Sequence, residues 1–87
     1  MIIPTVHLNG TSKAALIDAL CDASHALQEA LDKLVQTMPN TRDYYPQGPP
    51  AFGIAEREHA ARIRKVDEVK DEIDALALPI DETFPDR

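Results

Sequence analysis

Eighty-seven residues make at most one domain, and a chain this short buries little more than roughly half of the surface it exposes when unfolded. Its residues are 44% hydrophobic but only 5% aromatic, with no Trp, so Ala, Leu, Ile and Val must supply any core, a mix suited to helix seams. A net charge of −6 argues against bulk nucleic acid or an anionic membrane as partner, and the lone Cys21 excludes an internal disulfide or a Cys-x-x-Cys motif.

The first ten residues, MIIPTVHLNG, have no basic start and no apolar run long enough for a signal or a membrane span, which predicts a cytoplasmic protein. Pro4 favours extended backbone, with Val6 and Leu8 on one side of it, so residues 1–10 are expected as a short arm. Asn9-Gly10 is a turn signal. Thr11 or Ser12 can then accept a hydrogen bond from the free amides of a following helix.

That helix is expected over 12–38, ended by Pro39-Asn40. Leu16, Leu20, Ala23, Leu27, Ala30 and Leu34 recur at steps of four and three, the spacing of a coiled-coil seam. A second stripe of Ala14, Ile17, Cys21, Leu31 and Val35 makes the apolar face wider than one neighbouring helix covers.

Residues 39–50 read as a loop, and the stretch 40–52, NTRDYYPQGPPAF, holds three of the four aromatic residues: Tyr44, Tyr45 and Phe52. A second helix is expected over 51–78, opening near Pro49-Pro50 and stopping before Pro79. Its seam is Phe52, His59, Ile63, Val66, Val69, Ile73, Leu76 and Ile80, with a polar tail over 79–87 in which Phe84 is free to dock. The predicted fold is all-α: an antiparallel two-helix hairpin with a short extended N-terminal arm. The uncovered stripe then implies assembly into a homo-oligomeric bundle, most simply a two-fold dimer of four helices.

Several charges break the rules of an isolated helix. Lys13 lies in the first turn of helix one, where the dipole favours an acid, and Glu72 and Asp74 lie near the end of helix two, where it favours a base. Asp18/Asp22, Asp67/Asp71 and Glu68/Glu72 are like-charged neighbours one turn apart, whereas Glu29/Lys33 and Glu58/Arg62 are well-ordered pairs. Helix two is split between basic Arg57, Arg62, Arg64 and Lys65 and a run of acids from Asp67 to Asp74. One explanation is a solvated face on which antiparallel helices compensate each other's ends. The other is an anion site: Arg42, Arg57 and Arg62 beside Tyr44 and Tyr45 suit a phosphate carrying a stackable base.

Asn9, Gly10, Thr11 and Ser12 bring free amides and hydroxyls to a helix N-terminus, which favours either an ordinary cap or an anion. In one hairpin this cap lies at the end opposite the tyrosines. Across an antiparallel oligomer the two meet, together with His7 on the arm.

Glu56 and His59 share one helical face at a spacing used by di-iron bundles, and Asp22 and His25 repeat that spacing on helix one. The run EREHA resembles the second helix of encapsulated ferritins, which implies a metal held by Glu56, His59 and Glu29. No nucleophile and base stand together and the three glycines form no phosphate loop, so neither catalysis nor a cofactor is expected. The segments HLNGTS and RDYYPQGP, each leading into a helix, resemble small helical proteins encoded by phages and prophages. That resemblance implies an anti-defence factor or a virion or assembly adaptor in the host cytoplasm. Some oligomeric anti-defence proteins sequester cyclic-nucleotide signals between subunits. The leading expectation is therefore a non-enzymatic homo-oligomer that sequesters a small anionic, nucleotide-like ligand. A protein-interaction module and a ferritin-like metal centre are the alternatives.

Overall fold

A computed structural model describes residues 1–84, and among these the chain is all-helical, with no strand. Three helices follow in order: α1 (Lys13–Gln36), the single turn α2 (Thr41–Tyr44) and the long α3 (Pro49–Thr83), with a 3₁₀ turn at Tyr45–Gln47. Helix α1 starts where its cap predicts: Ser12 is extended and its Oγ accepts from the Ala15 amide at 3.2 Å. It stops at Gln36, two residues short of the expected Met38. Pro39 disfavours helical backbone at Met38, and the Thr37 hydroxyl donates to the Leu34 carbonyl at 2.9 Å, closing the last turn early.

The expected loop is more ordered than its composition implied. Asn40 accepts from the Asp43 amide at 3.2 Å and donates its own amide to the Asp43 carboxylate at 3.0 Å, which winds α2. Gly48, at φ +102°, makes the turn into α3, a conformation that other residues adopt only under strain. Because Pro49 and Pro50 need no amide partner in a first turn, α3 begins at Pro49, two residues earlier than expected.

Its other end corrects the sequence more sharply. Helix α3 runs through Pro79 to Thr83 instead of stopping at 78. A proline in a helix interior costs about 3 kcal/mol, chiefly one lost backbone bond and a steric clash. The turn beyond it buries Ile80 completely, which contributes about 1.5–3 kcal/mol. It also receives the Lys13 amine on two carbonyls, Asp81 at 3.0 Å and Phe84 at 2.8 Å. Together these outweigh the proline. Of the expected tail, residues 85–87 lie outside the described residues.

The two long helices run antiparallel and pack along their length: Lys13 meets Asp81, Ser24 meets Asp74, and Leu34 meets His59. The seam is offset from the apolar pattern at alternate positions. On α1, Ser24 and Leu31 are buried and Ile17 is half-buried, as are the expected Leu16 and Ala23, while the expected Ala30 is exposed. The working heptad is thus Lys13, Ile17, Leu20, Ser24, Leu27, Leu31 and Leu34, and the second stripe keeps only Ala14, Cys21 and Val35 in water. On α3, Lys70 takes the seam place expected of Val69, which is 47% exposed.

These substitutions place a polar layer midway along the pair. The Ser24 hydroxyl donates to Asp74 at 2.6 Å, and the Lys70 amine donates to the same carboxylate at 2.9 Å. The Ser24 bond, then the Lys70 bond, hold the Asp74 carboxyl below its ordinary 3.8, and the Asp74 bond raises Lys70 above its ordinary 10.5. A lowered carboxylate stabilises the fold above its unfolded value and loses that contribution as pH falls through the folded one. Acid titration followed by circular dichroism should show stability dropping below about pH 4. Asp74→Asn should flatten that acid limb, and an unchanged limb would mean the layer is inert. Lys70 supplies the alkaline counterpart: its contribution is complete below 10.5 and fades as pH rises through its raised value.

The result is a rod, 62 × 20 × 18 Å, with a radius of gyration of 19.0 Å. A compact domain of this length has about 12 Å. Among the described residues only Leu31 and Ile80 are hydrophobic side chains buried from solvent, so much of the apolar surface remains wet in a single copy.

Candidate functional site

The candidate residues fall into two groups at opposite ends of the rod. At the arm end, the Gly10 amide donates to the His7 carbonyl at 3.1 Å, closing the predicted turn. The His7 imidazole lies so close over Gly10 that a Cβ there would stand 2.7 Å from Nε2. Beneath this turn is a cavity of about 390 Å³ lined by Val6, His7, Leu8, Gly10, Ser12, Lys13 and Phe84. His7, Gly10 and Ser12 of the expected residues border it; Asn9 and Thr11 are exposed outside it. Ser12 Oγ accepts the cap bond, and its hydroxyl proton is left to donate elsewhere.

Lys13 is the residue here whose role the sequence leaves open. Its side chain is only 7% exposed, and besides the two carbonyls it stands 3.6 Å from the Asp81 carboxylate. A cation at the start of α1 is unfavourable for that helix, but its charge is delivered to the C-terminus of α3, where the dipole favours it. The compensation of one helix's end by its antiparallel neighbour is thus realised in Lys13. The readable signal was a lysine one helix-length from the chain reversal.

At the other end, Arg42 is exposed, Tyr44 half-buried and Tyr45 77% exposed. Arg42 and Arg57 make no hydrogen bond or ion pair among the described residues. Arg62 is partly engaged, at 3.9 Å from Glu58 and with Nη1 3.4 Å from His59 Nδ1. Helix α1, about 36 Å long at 1.5 Å per residue, separates this group from the arm. A single copy therefore cannot bring His7, Asn9, Gly10, Thr11 and Ser12 to the tyrosines.

His59 is committed inside the seam. Its Nε2 lies 2.6 Å from the Leu34 carbonyl, which only an N–H can face, and 3.3 Å from the Thr37 hydroxyl. Nδ1 is then left to accept from Arg62, which defines the tautomer. Among the described residues no three His, Cys, Asp or Glu side chains gather in a metal-holding group, so one copy does not assemble Glu29, Glu56 and His59 as ligands. Both His59 ring nitrogens already face partners: Nε2 the Leu34 carbonyl and Nδ1 the Arg62 guanidinium.

Among the described residues no helix is long and apolar enough to cross a membrane. No protein-family model matches the chain, and neither a curated protein nor a solved structure is significantly similar to it.

Proposed function

We propose that the chain acts without catalysis, as a homo-oligomer that sequesters a small anionic, nucleotide-like ligand between copies, in the manner of a phage anti-defence factor. The observation that carries this reading is the placement of two exposed polar groups at opposite ends of a 62 Å rod whose apolar flanks are incompletely covered. An antiparallel neighbour of equal length covers flank with flank and sets the arm of one copy beside the tyrosines of the other. Tyr44 and Tyr45 stack on the base. Arg42, Arg57 and Arg62 hold phosphate oxygens, joined by His7, the amides of Asn9 and Gly10, and the hydroxyls of Thr11 and Ser12. The uncommitted charges of Arg42 and Arg57 and the largely exposed ring of Tyr45 support those roles.

Calorimetry against nucleotides and cyclic nucleotide signals tests this. One member should bind, and Tyr45→Ala should weaken it roughly 5- to 150-fold, the range for one base stacked on one ring. Silence across the panel would overturn the ligand. A second reading, an adaptor docking a host or virion protein, is favoured by Ile2 and Leu8, which are 92% and 98% exposed on the arm. A stoichiometric protein partner and no small molecule, recovered from infected cells, would select it.

A further inference from the structure

The face of α3 turned away from α1 has a pattern that no intrachain contact explains. Arg57 and Ala75 lie nine residues either side of the half-buried Val66, two and a half turns away, and so on the side opposite the seam. Along this outer side Ile54 and Leu78 stand at the two ends, 46% and 58% exposed. Between them come the exposed cations Arg57 and Arg64, then the exposed anions Glu68 and Asp71. Ala61 and Ala75 fill the remaining places, so the spacing alternates three and four, as in an interhelical contact line. Read from either end about the level of Val66, apolar meets apolar, cation meets anion, and each alanine falls opposite a charged residue.

We propose that this outer face of α3 is the surface on which a second copy of the chain docks, antiparallel and about a two-fold axis at the level of Val66. This inference rests on the oligomeric reading above and specifies its contact. The symmetry sets Ile54 against Leu78 of the second copy and Arg64 against its Glu68, each twice. The alanines let the backbones approach. Parallel pairing is opposed, because it sets Arg64 on Arg64, Glu68 on Glu68 and Asp71 on Asp71, so the charges choose direction while the apolar ends add burial. Such an isologous contact is self-complementary, as a two-fold axis requires. It also brings the Pro49 end of one α3 beside the Thr83 end of the other. The connection that carries the tyrosines of one copy then lies at the same level along the axis as the arm of its mate.

The test uses the full chain in sedimentation velocity at low salt. Arg64→Glu and Glu68→Arg are exposed changes that should keep the helical dichroism of the unaltered chain. Each makes the central pairs like-charged and should weaken self-association at least tenfold. An equimolar mixture of the two variants restores opposite charges at both symmetric positions and should associate as the unaltered chain does. Rescue by mixing supports this interface, since a general loss of stability would not be repaired by a second damaged chain. Single variants that associate normally, or a mixture that does not recover, overturn the α3 contact and leave the oligomer standing on another face. An unaltered chain that stays monomeric at high concentration removes both.

Discussion

Ile80→Ala is expected to lower the unfolding free energy by about 2–5 kcal/mol, measured by urea denaturation at fixed protein concentration. Ile80 is the one described side chain with no solvent exposure, and it lies one residue past a proline that would ordinarily end the helix. Truncating it removes apolar burial and leaves a void that two helices cannot collapse around. It also removes the main reason for α3 to continue beyond Pro79, so the amides of residues 81–84 should lose hydrogen-exchange protection. Val69→Ala is the internal comparison: at 47% exposure it should change stability by no more than about 0.5 kcal/mol. Equal effects at the two positions would show that the turn beyond Pro79 carries no packing energy.

Lys13→Met should cost about 1.5–3 kcal/mol and act at the far end of the chain. The substitution keeps an apolar stem and deletes the amine that bonds the Asp81 and Phe84 carbonyls. Hydrogen bonds to a charged group contribute about 1.5–3 kcal/mol, and carbonyls left without a partner in a part-buried position add a desolvation cost. The expected signature is spatial. Exchange should accelerate at 80–84, nearly seventy residues along the chain from the mutation, while amides around Leu27 and Leu31 keep their protection. A uniform loss would mean that Lys13 supports the whole pair and not the end of α3. An unchanged profile would mean that its bonds are replaced by water at no cost.

The two residues show where the readable part of this chain ends. Ser12 and the Asn9-Gly10 turn act through neighbours within a few positions, and the structure keeps each of them in the role that its local chemistry implies. Ser24 and Lys70 do not. Each occupies a seam position that an apolar pattern excludes, because the partner that makes it tolerable, Asp74, is 50 residues from Ser24 and is shared between them. Placing the stripe on Ala30, which is exposed, and passing over the buried Ser24 follows directly from counting only apolar side chains. The same limit applies to the candidate site. Its residues were nameable from their types, but their separation to opposite ends of a 62 Å rod required the helices to be laid side by side.

By itself the sequence determined that this is an all-helical chain with two long helices, where α1 begins, and that a Tyr- and Arg-bearing connection joins them. Those outcomes depend on backbone propensity, capping and proline, whose effects act within one or two turns. Only the tertiary structure decided which residues form the seam, that α3 passes through Pro79, and that Lys13 serves the opposite helix. Each is a balance between a local cost and a partner distant along the chain, and that partner exists only once the two helices have packed.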